Sequence, residues 1–519
     1  MVSPVLVGGK LIFSADASNI GANTLWASDG TSAGTAAVPA VAGKTGNGQP
    51  DNFFQWGGAP YHLGVFGGTN LYRTSLTGHD SIGKLMGTAG ATRLQIDTMG
   101  SMLYYIYSDQ FSGGIRATNG TPGNNSAVAG PASQLLGNSL AAVNNKLFYP
   151  AVSAGVGQEL VMTDLATNTF SLVKDINTGQ TGSDPVMLGK LGNKVFFTAE
   201  TQASGRELWV SDGTSAGTVM LVDANPGTGH GNPVSFTVSN GKAYFRAQVN
   251  VGQNKTLWAT DGTPSGTTEV WGRSGTTIIG TAESDLINMG SFLIFAGGDT
   301  AGREPWRTDG TTAGTYRIKD IFPRRNGVNN SSTFENWYRT TNIIDGRFYF
   351  GATGDTLDIN DTEPWVTDGT DTGTHQVANL RPGASRSMTS DAFEFVKYNS
   401  RIYFVGNNGQ TGLEIYSFPA PPPVSQGGTP PPPPPSQSVG STIDAQTFML
   451  YPNPTTGVVS IDGAQQGDAV SVWDAAGRLM IVAHPQQSML DVSTLPAGHY
   501  SMQLIRAGKI LGTASLLRQ

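Results

Sequence analysis

The 519-residue chain contains no cysteine and few charged side chains, its 31 basic and 38 acidic residues amounting to 13%, about half the usual quarter. Absence of cysteine excludes disulfides and thiol catalysis, though it names no compartment. Helix surfaces are built from Glu, Lys and Arg, so a chain this poor in them is not extensively helical. A net charge of -7 is mild for the length, and no basic block tracks a phosphate backbone, which argues against nucleic acid as a partner. No apolar run approaches the ~20 residues of a membrane-spanning helix, so no transmembrane segment is expected. The opening MVSPVLVGGKLIF lacks the basic start and apolar stretch of a secretory signal. A late start codon or a fragment would account for that, and for a first repeat unit that begins midway. What is abundant is glycine, at 69 residues nearly twice the typical ~7%, a bias towards strands and turns.

Much of that glycine sits in a repeat. SDGTSAGT at 28–35 recurs letter for letter at 211–218, and TDGTPSGT, TDGTTAGT and TDGTDTGT begin at 260, 308 and 367. A Trp stands three residues before each Asp, at Trp26, Trp209, Trp258, Trp306 and Trp365; weaker copies place Tyr72, Arg116, Val161 and Ile415 there. The nine units have a mean spacing of ~49 residues, the period of a four-stranded propeller blade. Upstream of each anchor runs an alternating segment, such as GKLIFSA, NKVFFTA or SRIYFVG, whose period of two marks a strand. Further strands follow the turn (TVMLVDA, 218–224) and precede the next copy (VSFTVSN, 234–240). Helical repeats would instead show a 3.6-residue rhythm, and leucine-rich repeats a Leu ladder. Asp-Gly suits a hairpin that needs positive φ, with the carboxylate accepting N–H groups inside the turn. Gly34, Gly217, Gly266, Gly314 and Gly373 are expected to supply a second unusual backbone angle, and each Trp to pack between adjacent blades.

On these motifs residues 1–418 resemble the ELWxxDGT-repeat proteins, through RELWVSDGT (206–214) and, with Pro for Leu, REPWRTDGT (303–311) and TEPWVTDGT (362–370). The expected fold is all-β: a β-propeller of about eight four-stranded blades with some irregular pairing, or a nine-blade ring, followed by a small Ig-like β-sandwich. The last unit stops at LEIYSF (413–418) without a hairpin or the strand after it, which leaves ring closure open.

Residues 419–441 form a Pro-rich linker with six consecutive prolines from Pro430 to Pro435, an extended polyproline spacer. A ligand for a proline-recognising domain is the rarer use of such a segment. Beyond it, residues 442–519 read as about seven short strands with a hairpin turn at Asp474 to Gly477, hence a sandwich. This tail resembles the type A C-terminal sorting domain of the type IX secretion system, through YPNPTTG, VWDAAGR and LPAGHYSMQL in the family's order. The resemblance places the sorting signal on Tyr451, Pro452, Asn453, Pro454, Gly477, Gly498 and Tyr500, with the type IX secretion machinery of a Gram-negative outer membrane as partner. It implies a secreted or outer-membrane-surface protein.

Several strings imitate active sites. Gly30 to Gly34 and Gly213 to Gly217 both satisfy GxSxG, but a nucleophile is not repeated and then exchanged for Thr312 or Asp371, and the elbow needs a strand-to-helix turn. The six histidines, His62, His79, His230, His375, His484 and His499, lack metal-ligand spacing. Glu159, Glu207, Glu304, Glu363 and Glu414 recur in phase, which fits pairing with neighbouring blades better than catalysis. The longest interval, Trp306 to Trp365, holds two insertions. One carries Arg324, Arg325, Trp337, Tyr338 and Arg339, side chains suited to a glycan or protein, against an ordinary exposed loop. In the other, Asp355, Asp358, Asn360 and Asp361 place oxygen ligands as calcium requires, against a solvated acidic loop; no other cofactor is expected. The expected function is a non-enzymatic secreted or cell-surface propeller that binds a glycan, an envelope component or a protein. The alternatives are a glycoside hydrolase, since the turn resembles the structural Asp-box hairpin of sialidases, and an adhesin shaft.

Overall fold

The computed structural model describes residues 2–15, 24–38, 51–65, 69–76, 78–84, 96–108, 113–130, 139–153, 155–250, 255–274, 277–278, 281–282, 284–299, 302–321, 342–353, 362–378, 380, 395–407, 413–422, 450–451, 457–461, 464, 468–474, 479–483, 489–506 and 509–518. No α-helix occurs among them. The chain divides into two compact units, 1–433 and 434–519.

In the first unit antiparallel sheets follow one another in chain order. Blades 1 to 9 cover 2–37, 51–84, 96–128, 141–174, 186–222, 234–271, 281–317, 343–376 and 396–419. Among the described residues seven are plain four-stranded meanders; in blade 7 the first strand is split into Thr281–Ala282 and Ile287–Asn288, and blade 9 has three strands. First strands of successive blades lie side by side around the centre, leaving the fourth strands at the rim. In blades 1, 2, 4, 6, 8 and 9 the hairpin joining first to second strand carries consecutive positive φ values, as at Asn240 (49°) and Gly241 (74°), the geometry that matches strand twist and that Asn-Gly tolerates.

Blade 5 shows why the alternating segments fold this way. Phe196 and Phe197 on Lys194–Thr201 point to opposite faces, and both are fully buried because the blade is covered on both sides. Phe197 and Trp209 join Phe148, Leu160 and Val173 of blade 4. Phe196, Leu208 and Leu221 join Phe245 and Trp258 of blade 6. Equivalent cores link blades 2 to 3, 3 to 4, 6 to 7, 7 to 8 and 8 to 9. Each buried aromatic or leucine contributes roughly 1.5–3 kcal/mol, so the interfaces hold the ring together.

Nine blades form the ring, and among the described residues no strand is exchanged at its closure. Tyr398 of blade 9 donates its hydroxyl to Gly9 O of blade 1 at 2.5 Å. Tyr403 of blade 9 also stands against Gly30 of blade 1, where a Cβ would come within 2.9 Å of the phenol oxygen. Tyr244 meets Gly310 and Tyr61 meets Gly120 in the same way, so the closing junction repeats the contact that joins blades 6 to 7 and 2 to 3. Two expectations are corrected. The first unit does not begin midway, because Val2–Val7 pairs as a first strand with Lys10–Ala15. The Trp place of the last unit belongs to Tyr416, not Ile415, because Phe404 pairs with Tyr416 as Phe197 pairs with Trp209.

Among the described residues the second unit has seven strands in two antiparallel sheets. Leu450–Tyr451, Val458–Ile461 and Met489–Asp491 make one; Leu479–Ala483, Ala469–Asp474, Gly498–Arg506 and Lys509–Arg518 make the other. Val459, Ile461 and Leu490 of the first sheet share a core with Val470, Val472, Met502, Leu504 and Leu516 of the second.

Candidate functional site

The DGT hairpins are self-contained. Asp212 Oδ1 accepts Thr214 N (2.8 Å) and Thr214 Oγ1 (2.8 Å), and Thr214 Oγ1 accepts Gly217 N (2.9 Å). Beneath, Ser211 Oγ accepts Gly213 N at 3.0 Å and bonds Thr218 Oγ1 at 2.8 Å. The same asparatate-to-threonine bonds recur at Asp29, Asp261, Asp309 and Asp368. Such bonds favour the ionised form, and those from Thr31, Thr214 and Thr263 hold Asp29, Asp212 and Asp261 below the usual carboxylate range.

The glycines divide their roles differently from expectation. Positive φ falls on the Gly after each Asp, for instance Gly213 (92°) and Gly262 (85°). Gly34, Gly217, Gly266, Gly314 and Gly373 have no such φ; a Cβ there would lie inside the carboxylate of the turn's own Asp. Space, not backbone angle, demands glycine at that place. The carbonyls of these turns also receive cations from the preceding blade. Lys146 Nζ donates to Asp212 O (3.3 Å), Lys194 Nζ to Gly262 O (2.9 Å) and Arg307 Nη1 to Gly369 O (3.1 Å). Arg307, 2% exposed, lies over the Phe292 ring at 3.9 Å. The Lys of the repeated NK dipeptide was the sequence signal for this role.

Four of the in-phase glutamates, Glu159, Glu207, Glu304 and Glu363, hold the connectors that lead to the next blade. Glu207 accepts Ala224 N (3.0 Å) and Gly231 N (2.6 Å), and Glu159 accepts Asn177 N (3.1 Å) and Ser183 Oγ (2.5 Å). Glu304 accepts Ile321 N (2.8 Å) and Glu363 accepts Leu380 N (3.0 Å). A connector leaving a sheet carries amides with no ladder partner, and a buried acceptor meets that need. Burial pushes Glu159 up and Glu207 up to about 7 against these bonds. Where Thr replaces Glu, its hydroxyl turns to the indole: Trp258 Nε1 donates to Thr256 Oγ1 (2.9 Å) and Trp26 Nε1 to Thr24 Oγ1 (3.1 Å).

Charges near the centre are paired as well. Lys190 Nζ lies 2.7 Å from Asp97 Oδ2 and donates to Ala142 O (2.9 Å), while Asp97 Oδ2 accepts Ala142 N (2.7 Å), tying the first strands of blades 3, 4 and 5. Lys397 and Asp345 join blades 9 and 8 at 2.6 Å. Among the described residues no group of three or more His, Cys, Asp or Glu side chains could hold a metal ion. Both candidate insertions, with Arg324, Arg325, Trp337, Tyr338 and Arg339 and with Asp355, Asp358, Asn360 and Asp361, lie outside the described residues.

In the tail, Tyr500 is buried and its hydroxyl donates to Pro496 O at 2.8 Å, pinning the LPAGHY turn against the core. Gly498 opens the strand Gly498–Arg506 and Tyr451 ends the strand Leu450–Tyr451. Val492 N donates to Gly457 O (2.7 Å), which ties the last residue of YPNPTTG to the segment just before LPAGHY. Pro452, Asn453, Pro454 and Gly477 lie outside the described residues.

Residues 449–513 match the secretion system C-terminal sorting domain family. None of the curated proteins matches the chain. Among solved structures the chain is similar to PorZ, a surface component of the type IX secretion system of Porphyromonas gingivalis, at 12% identity over 99% of this chain and 75% of that one, with a TM-score of 0.30. It is similar also to TolB of Acinetobacter baumannii, at 12% identity over 49% and 58% of the two chains (TM-score 0.29), and to prolyl oligopeptidase B of Galerina marginata, at 11% over 68% and 55% (TM-score 0.38). These scores are low, and the propeller rests on the strand order and closing contacts above. The sorting domain marks the chain for export by type IX secretion, to the cell surface or beyond it. Among the described residues no helix is long and apolar enough to cross a membrane.

Proposed function

We propose that the chain is an ELWxxDGT-repeat binding protein, delivered outside the cell by its tail, whose propeller holds a glycan, an envelope component or another protein through loops that depart from the repeat. The observation that supports binding over hydrolysis is the commitment of the repeat carboxylates. Glu159, Glu207, Glu304 and Glu363 accept connector N–H groups, and the DGT aspartates hold their own threonines. Glycoside hydrolysis needs two carboxylates facing a substrate, and these face the backbone. The insertion carrying Arg324, Arg325, Trp337, Tyr338 and Arg339 supplies planar donors and aromatic faces suited to sugars or carboxylates.

The test is a glycan and envelope-fraction binding screen with the full chain, paired with a reducing-end assay. Saturable binding without turnover supports the reading. Release of reducing ends that is lost on one carboxylate substitution would replace it with a hydrolase, and absence of any ligand would leave a structural shaft. Deleting 442–519 should strand the precursor in the periplasm; unchanged surface display would remove the sorting role.

A further inference from the structure

We propose that blade 9 accepts a strand from another polypeptide, an extended segment with a branched aliphatic residue that fills the blade's open fourth position. The proposal is independent of the ligand assigned above to the loops.

The other eight blades define what belongs there. In each, a fourth strand pairs with the outer side of the third. One residue beyond the partner of the Trp-place residue, every one of these segments carries Val, Ile or Leu. Leu221 follows Met220, the partner of Trp209, and Val270 follows Glu269, the partner of Trp258. Val38, Ile82, Val173, Leu221, Val270 and Ile318 are all at most 8% exposed. The main-chain N–H of this residue bonds the carbonyl just before the Trp place: Val38 N to Leu25 O and Ile318 N to Pro305 O, both at 2.8 Å. Its side chain faces forward, as Leu221 does in the core shared with blade 6.

Blade 9 has the acceptor without the donor. Among the described residues Leu413–Pro419 pairs only with Arg401–Asn407. The chain then runs through Pro419, Pro421, Pro422 and Pro423 with no DGT hairpin to bring it back, and proline has no N–H to offer a ladder. The consequence is visible at Ile415, the counterpart of Leu208. Ile415 is 42% exposed, whereas Leu25, Leu160, Leu208 and Leu257 are at most 3% exposed. An unpaired edge beside an exposed aliphatic residue is a template for strand addition, with main-chain bonds supplying affinity and one pocket supplying choice. An incoming Val, Ile or Leu donating its N–H to Ile415 O would cover Ile415 at the junction of blades 9 and 1. Described polar contact at that junction is the Tyr398 hydroxyl on Gly9 O.

The probe is a fluorescent peptide of sequence TVMLVDA, the chain's own residues 218–224, titrated to millimolar concentration against the full protein. Binding should saturate, raise the melting temperature and slow hydrogen exchange of the amides in 413–419. Ile415→Asp should weaken binding at least about tenfold while melting close to the wild type, because the side chain it replaces is exposed. A peptide with Pro in place of the central Leu should not bind. The proposal is overturned if the full chain takes up no peptide, as when residues 423–449 or a second copy already cover the edge. It is equally overturned if Ile415→Asp or the Pro peptide binds as well as its parent.

Discussion

Blades 5 and 6 are neighbours with the same meander, the same Trp and the same hairpin, yet they use one strand position in opposite ways. In blade 5 that position is Glu207, which turns away from the indole and holds Ala224 N and Gly231 N, leaving Trp209 Nε1 buried without a hydrogen-bond partner. In blade 6 it is Thr256, too short for the connector, and it takes the indole of Trp258 instead. Two groups need an acceptor and one side chain is placed to supply it. Trp306 and Trp365 follow the blade 5 pattern, with Glu304 and Glu363 on the connectors and the indole nitrogens unpaired. The difference teaches that the repeat conserves packing at the Trp and treats its N–H as expendable when two backbone amides compete for the acceptor. That ranking follows from the cost of orphaned buried donors, which is of order 1–3 kcal/mol for each.

Four experiments would break or sharpen this contrast. Trp209→Ala and Trp258→Ala should each destabilise the ring by about 3–5 kcal/mol, in denaturant unfolding, since the indole bond is secondary to its burial. A loss below about half a kcal/mol at either would remove the packing role. Glu207→Ala should cost about 3 kcal/mol, from two buried amides that lose their acceptor, and should speed hydrogen exchange at Ala224 and Gly231 above all. Thr256→Val keeps the shape and removes only the indole's acceptor, so about 1–2 kcal/mol is expected, with exchange in the connector after blade 6 unchanged. The smallest effect is a slope with pH. Burial raises the Glu207 carboxyl from 4.5 to about 7, so between those pH values the native state keeps a proton that the unfolded chain has released. Stability of the wild type relative to Glu207→Gln should therefore fall as pH rises through this window and stay level above it. Melting curves that run parallel from pH 5 to 7 would contradict the assigned cause.

Much of this architecture was legible because its determinants are short. Alternation in NKVFFTA and the SDGT turn are each complete within ten residues, and the structure realises both with their expected bonds. What the turn's second glycine is for was not legible: Gly217 reads like any turn glycine, and only the folded hairpin shows the Asp212 carboxylate occupying the space of its Cβ. The partner of Glu207 is illegible for a related reason. Phase showed that the residue matters, while its acceptor geometry depends on a connector with no repeated letters. LEIYSF lacks the Asp that aligns the other copies, so counting back from the turn does not fix which of Ile415 and Tyr416 holds the Trp place. Pairing of Phe404 with Tyr416 decides it.

The amino-acid sequence alone determined a ninefold β repeat, the chemistry of its hairpins, a proline spacer and a tail of sorting-domain type, since each is encoded in contacts between near neighbours along the chain. Only the tertiary structure decided that nine blades close, that Tyr398 and Tyr403 stand at the closing junction, and that among the described residues the third strand of blade 9 pairs only with the second. Closure brings Tyr398 to Gly9 across 389 positions. Whether two such distant segments meet depends on the accumulated geometry of every sheet between them, which no local pattern records.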